Sequence, residues 1–99
     1  MDKSNIIEFW LKSARDNIVT ADAMQKSKRW NFALFMCQQT LEAILKAIYI
    51  NKTGKRPPYI HKLPTLADLS GLEIPQEMYN KILEIDAHYM KARYFTDRF

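Results

Sequence analysis

Few side chains in this sequence are suited to nucleophilic, acid–base or metal chemistry. His61 and His88 lie far apart, and Cys37 stands within an apolar run, so these three residues provide no recognisable metal-binding set. With only two glycines, the chain also has no glycine-rich phosphate loop. Glu84 and Asp86 are two positions apart on a predicted helix, so they do not share a face and are expected to be solvated. We therefore predict neither a metal nor a cofactor.

A polar stripe interrupts the most apolar stretch of the chain, QQTLEAILKAIYI at residues 38–50. Since successive residues of a helix are rotated by about 100°, the side chains of this stripe fall within one narrow arc of the helix. The stripe is either the solvent face of the helix or part of a protein interface. On a solvent face, Glu42 and Lys46 would form an i, i+4 ion pair worth about 0.2–0.5 kcal/mol. In an interface, aromatic residues mixed with amides are common. Its members are Phe35, Gln38, Gln39, Glu42, Lys46 and Tyr49.

Basic and aromatic residues are concentrated towards the end of the sequence. Tyr94 and Phe95 stand beside Arg93, and such aromatic residues either stack on nucleic-acid bases or, more often, belong to a core or a dimer contact. The net charge of +4 permits contact with phosphate groups without establishing it. Two further basic clusters, at 26–29 and 52–56, lie near predicted helix ends, where cations favour the helix dipole.

Two long helices are predicted for the first half of the chain. The first runs over about 4–26, with Ser4 as its N-cap. Its apolar face repeats every three or four residues. The second runs from a cap at Asn31 to about residue 52, where Gly54 ends it. The apolar face of the first helix comprises Ile7, Trp10, Leu11, Ala14, Ile18 and Ala21.

Shorter elements are predicted to follow. Pro57 and Pro58 place a loop after the second helix, and a short helix over 65–70 is closed by Gly71. Pro75 suits the first turn of a further helix. The apolar stripe of that helix comprises Met78, Ile82, Ile85 and Tyr89.

Composition favours one ordered helical domain over residues 1–99. Nearly half of the 99 residues are hydrophobic, 12% are aromatic, and no β-type alternation or internal repeat is visible. A single cysteine excludes an intramolecular disulfide and suits a reducing cytoplasm. The sequence has neither the apolar core of a signal peptide nor a run of about 18 apolar residues. We therefore expect an intracellular protein without membrane contact. We predict an all-α antiparallel bundle of four to five helices, with two long N-terminal helices and shorter C-terminal ones.

Three short motifs in order resemble the HEPN family of small helical proteins from prokaryotes. Residues 33–66 are similar to a family pattern of two glutamines, a Glu and a Lys-Ala, followed by His-x-Leu. Residues 93–97 are similar to Arg-Tyr-Pro-Asp, with one extra residue and no proline, so the local turn is expected to differ. The family also continues into another helix, which these 99 residues lack or leave out. The matching positions are Gln38, Gln39, Glu42, Lys46, Ala47, His61, Leu63, Arg93, Tyr94 and Asp97.

The resemblance implies a dimer-forming bundle, often encoded beside a minimal nucleotidyltransferase as one half of a toxin–antitoxin pair. On that basis the stripe lies in or near a cleft or interface. The interface candidates are Phe35, Gln38, Gln39, Glu42 and Tyr49. The candidates for binding a nucleotide or RNA are Lys46, His61, Arg93, Tyr94 and Asp97.

The wider family also implies an alternative, a metal-independent RNase. Its RNases are similar in an Arg followed four to six residues later by a His, which act on the phosphate and the ribose hydroxyl. Arg56 and His61 have this spacing, but they lie in the loop and not near the carboxyl end, so we assign His61 to local backbone contacts or to the start of the short helix, with a ligand contact left open. No His follows Arg93 up to Phe99, and six intervening residues would place one at the position after Phe99; only then would Arg93 be a catalytic candidate. We therefore expect a binding subunit rather than an enzyme, with a ligand-free dimeric scaffold as a further alternative.

Overall fold

The computed structural model describes the backbone of residues 2–98 and the side chains of residues 2–91. This part of the chain forms four α-helices and no strand, so the predicted all-α class is confirmed. Between residues 2 and 98, no helix combines the length and apolar character that a membrane span requires. The helices are α1 (Lys3–Lys26), α2 (Trp30–Thr53), α3 (Leu63–Ser70) and α4 (Gln76–Arg98).

The two long N-terminal helices form a hairpin, and their starts differ from the sequence prediction. Asp2, not Ser4, is the N-cap of α1, because its extended backbone lets its carboxylate accept a hydrogen bond from the Asn5 N–H at 2.9 Å. Helix α2 begins before Asn31, and Arg29 precedes it without a side-chain cap. On α1 the predicted apolar face is buried at Ala14 and Ala21, but the prediction that Ile18 belongs to the buried face is wrong, because its side chain is 49% exposed.

Glycines end α2 and α3 as the sequence predicts. Gly54 and Gly71 have φ values of 70° and 71°, in the left-handed region that glycine adopts without strain. The N–H of Gly54 donates to the carbonyl of Ile50 at 2.8 Å, which satisfies one of the last carbonyls of α2. The chain therefore leaves α2 in a fixed direction and continues into the loop 54–61, after which Lys62 is the N-cap of α3.

The core lies where α3 packs between α2 and α4. Leu63 and Leu66 of α3 are almost fully buried against Leu45 of α2 and Ile82 of α4. Asp86 of α4 accepts a hydrogen bond from the Leu63 N–H at 2.9 Å and so caps α3 from a neighbouring helix. The expectation that Asp86 is merely solvated is therefore wrong.

The last helix is longer than α3 and nearly as long as α1 and α2. It has 23 residues and continues through the segment 93–97, where the sequence lacks the proline of the family pattern. Within its predicted apolar stripe, Ile82 is buried and Ile85 packs against the core. Met78 of the same stripe is 56% exposed. The side chains of residues 92–99 lie outside the described residues.

Replacement of Gly54 tests the left-handed end of α2. A Cβ at this position would meet no other atom within 4 Å, so the backbone φ alone sets the cost. We expect Gly54→Ala to lower the free energy of unfolding by about 1 kcal/mol, measured by urea denaturation. Gly54→Asn is the matched control and should cost less, because Asn tolerates the left-handed region. Equal stability of Gly54→Ala and the unaltered protein would contradict this explanation.

Candidate functional site

The polar stripe of α2 is largely buried within the protein. Gln38, Glu42 and Lys46 are 0%, 6% and 5% exposed, so the solvent-face interpretation is wrong for these three residues. Phe35 differs, because it remains 43% exposed beside Tyr89, with the ring centroids 5.7 Å apart. The buried part of the stripe must therefore find its hydrogen-bond partners inside the chain.

Two neighbouring segments cover the buried residues. The loop after α2 brings His61 over Glu42, and the Nδ1 atom of His61 lies 2.9 Å from the Oε1 atom of Glu42. The loop is also held by its backbone, because the Gln38 amide donates to the carbonyl of His61 at 3.0 Å. From the other side, α1 places the ring of Trp10 5.2 Å from the Lys46 ammonium.

The hydrogen bonds converge on the Glu42 carboxylate. Its Oε1 atom accepts from His61 and, at 3.5 Å, from Gln38, while its Oε2 atom accepts from the Lys46 ammonium at 3.4 Å. Gln39 donates to the Gln38 carbonyl oxygen at 2.8 Å and so fixes the orientation of that amide. We call Gln38, Glu42, Lys46 and His61 the polar cluster.

The polar cluster forms part of the wall of a cleft of about 670 Å³. The N-terminal half of α1, the stripe side of α2 and the loop 54–61 enclose it. Its volume lies in the range of small-ligand sites, about 300–1,000 Å³. The cationic and aromatic side chains that line it are Lys3, Lys46, Lys55, Arg56, Phe9, Trp10 and Tyr59.

This lining favours a ligand that carries negative charge and a flat ring. Four cationic side chains face the cleft against the single carboxylate of Glu42. Phe9 and Tyr59 are 60% and 91% exposed, so their rings are available for stacking. Within the described residues, no group of three His, Cys, Asp or Glu side chains comes together to hold a metal.

The structure brings together some of the residues selected from the sequence and not others. Gln39, Glu42, Lys46 and His61 line the cleft, whereas Gln38 lies beneath it as a buried support. Phe35 and Tyr49 are not part of its lining. The side chains of Arg93, Tyr94 and Asp97 lie outside the described residues. The proposed interface and binding roles of all these residues remain predictions.

Sequence reasoning missed most of the other cleft residues. Trp10 was assigned only to the apolar face of α1 and Lys55 only to a helix-end cluster, while Arg56 was assigned to that cluster and to the rejected spacing with His61. The spacing of Arg56 and His61 was the one available signal, and both residues do line the cleft.

The comparison with protein families agrees with the resemblance seen in the sequence. The model of the HEPN domain matches residues 7–99. The chain belongs to the HEPN family. No curated protein and no solved structure was found to match it. The HEPN match includes all four residues of the polar cluster and the whole loop 54–61, and of the cleft lining it omits only Lys3 and Ile6.

Removal of the Glu42 carboxylate tests the role of the polar cluster in stability. We expect Glu42→Ala to lower the free energy of unfolding by about 3–5 kcal/mol, because it leaves the Lys46 ammonium buried without its carboxylate. Glu8→Ala is the control, since Glu8 forms an exposed ion pair with Arg15, and its loss should cost less than about 1 kcal/mol. Urea denaturation of both variants measures the difference.

A double substitution separates the buried charge from simple loss of packing. In Glu42→Leu/Lys46→Met both charges are replaced by apolar groups of similar size, so this variant should be more stable than Glu42→Ala. If the double variant is the less stable of the two, an uncompensated Lys46 charge is not the cause of the loss.

Proposed function

We propose that this HEPN protein is a binding subunit whose cleft takes the phosphate group of a nucleotide or of RNA. The observation that carries the proposal is the surroundings of Lys46. Its ammonium has three N–H donors and is 5% exposed, yet its carboxylate partner stands at the long distance of 3.4 Å. An oxyanion in the cleft would give this buried ammonium further acceptors, as charged groups removed from water require.

The other cations and the aromatic residues support the same ligand class. Lys55 and Arg56 are exposed at the mouth of the cleft, where they can meet additional phosphate oxygens. The Arg56 guanidinium is suited to bidentate phosphate contact. Phe9 and Tyr59 add exposed rings on α1 and on the loop, and stacking on such rings accepts any base.

Membership of the HEPN family extends the proposal to partners. We propose that the protein forms a homodimer and acts with a minimal nucleotidyltransferase in a toxin–antitoxin type pair. Exposed aromatic residues at the start of α2 support a protein contact, because such residues are enriched in interfaces. Trp30, Phe32 and Phe35 are 55%, 60% and 43% exposed.

Ligand binding can be tested with two charge-matched variants. We expect Lys55→Gln/Arg56→Gln to weaken binding of ATP and of a short single-stranded RNA by about tenfold or more, because two charge-assisted phosphate contacts are lost. Lys26→Gln/Lys28→Gln removes the same charge at the opposite end of α1 and should bind normally. Fluorescence anisotropy with labelled RNA, and competition by ATP, measure both.

The outcomes distinguish binding in the cleft from attraction of the ligand by the net positive charge of the protein. Equal losses in the two double variants would show attraction by net charge rather than by the cleft. If the unaltered protein binds neither probe at low salt, the proposed ligand class is wrong. For RNA, the salt dependence should also weaken in the cleft variant, since each neutralised phosphate contributes about 0.7 to the slope.

Self-association can be tested at the exposed aromatic residues. Light scattering after size-exclusion chromatography should measure a molar mass of twice 11.7 kDa for the unaltered protein. For Phe32→Glu, which places a charge in the proposed contact, it should measure the mass of a single chain. Leu83→Glu, at a residue of α4 with 42% exposure, is the control and should leave the dimer intact. A single-chain mass for the unaltered protein would contradict the proposed dimer.

A further inference from the structure

We infer that the binding of an anion in the cleft is coupled to the uptake of a proton by His61, so that the cleft holds its ligand more tightly as the pH falls. This inference rests on the proposed function, because it concerns the regulation of the same cleft. His61 then controls the affinity of the cleft, and the ligand itself is left unchanged.

The polar cluster carries no net charge while the His61 ring is neutral. Glu42 contributes one negative charge and Lys46 one positive charge, and the two are paired at 3.4 Å. Because a carboxylate only accepts hydrogen bonds, Nδ1 of His61, 2.9 Å from Oε1 of Glu42, carries the proton of the neutral ring. A second proton must therefore enter at Nε2, and its uptake gives the cluster a net positive charge.

His61 is the most exposed titratable group of the polar cluster. Its side chain is 30% exposed, whereas the side chains of Glu42 and Lys46 are 7% and 6% exposed. Imidazole is also the side-chain type whose charge ordinarily changes between about pH 5 and pH 8. In the part of the chain that the structure describes, the ring of His61 is hydrogen-bonded to side chains through Nδ1 alone, and the residue lines the cleft. A proton on Nε2 therefore adds a hydrogen-bond donor for an anionic ligand.

The charges around His61 determine the sign of the coupling. Glu42 favours the protonated ring, whereas the cations of the cleft oppose it. Of the other neighbours, Tyr59 packs edge-on with its ring centroid 5.0 Å from that of His61, Lys62 is exposed, and Asp86 is engaged in capping α3. The opposing cations come from α1, α2 and the loop, and they are Lys3, Lys46, Lys55 and Arg56.

A bound anion changes this balance in favour of the protonated ring. Its negative charge offsets the cations of the cleft, so they oppose a proton on His61 less in the complex than in the free protein. Coupling between two ligands is reciprocal, so protonation must strengthen anion binding by the same factor. The affinity for an anion therefore rises as the pH falls through the range in which His61 takes up its proton, and it decreases as the pH rises again.

The test is the pH dependence of binding to an oligouridylate RNA that lacks a terminal phosphate. Its phosphodiesters and uracil rings do not titrate over the range in which imidazole does, about pH 5.5 to 8, so a change in affinity reports on the protein. We expect the unaltered protein to bind at least about fivefold more tightly at the lower pH. Fluorescence anisotropy measures both affinities at one ionic strength, because salt alone changes RNA binding.

Matched histidine variants identify the group that takes up the proton. His61→Asn keeps an amide that can donate to Glu42 but takes up no proton, so its affinity should be nearly the same at both pH values. His88→Asn, at an exposed residue of α4 that does not line the cleft, should retain the full pH dependence. Persistence of the pH dependence in folded His61→Asn, or its equal loss in both variants, would overturn the inference.

Calorimetry of the unaltered protein tests the coupling without any substitution. Titrations with the same RNA in two buffers of different ionisation enthalpy give the number of protons taken up for each bound ligand. We expect an uptake of up to about one proton, with a maximum inside the range in which imidazole titrates. Zero uptake throughout this range would contradict the coupling.

The failures of the two proposals are distinguishable. RNA that binds with the same affinity at every pH would overturn the coupling and leave the proposed binding function intact. RNA that binds at no pH would overturn the coupling together with the RNA part of the proposed function, and the binding of ATP would then decide the remainder.

Discussion

The burial of the Glu42 carboxylate is the constraint on which the rest of the site depends. A carboxylate withdrawn from water must be paired and hydrogen-bonded, or burial strongly disfavours its charged form. Here its partners come from two parts of the chain, with Gln38 and Lys46 on α2 and His61 on the following loop. The same requirement therefore fixes the path of the loop and the position of the imidazole beside the cleft.

The ends of the loop are held firmly, and its middle is left exposed. At one end Gly54 adopts a left-handed conformation, and at the other Asp86 caps α3 through the Leu63 N–H. Between them, Lys55, Arg56 and Tyr59 are exposed. Because the fold satisfies the backbone at the anchors, the residues in between are available to contact a ligand. Function placed on a loop that a rigid scaffold positions is a common arrangement in proteins.

The sequence predicted the helices better than it predicted the site. Periodicity and two glycines defined α1 to α3 to within a few residues, because helix-ending signals act locally. The arc shared by Gln38, Glu42 and Lys46 was also predictable from helical geometry. What covers that arc was not, since the contact of Lys46 with Trp10 and that of Glu42 with His61 join residues distant in sequence. Asp86 was misjudged for the same reason, because its partner is on another helix.

Stability alone gives no physical reason for the polar cluster. A buried ion pair is often neutral or destabilising relative to apolar residues of the same size, so α2 could pack at least as firmly with Leu and Met at these positions. Control of the loop path explains Gln38 and Glu42, but it does not require a cationic Lys46 at the edge of a cleft that already holds Lys55 and Arg56. The long ion pair of Lys46 and the positive charge of Lys55 and Arg56 would both gain acceptors from an anionic ligand, which is why they support the binding function proposed above. A requirement for ligand binding, as proposed above, would supply the physical reason for Lys46 that stability does not.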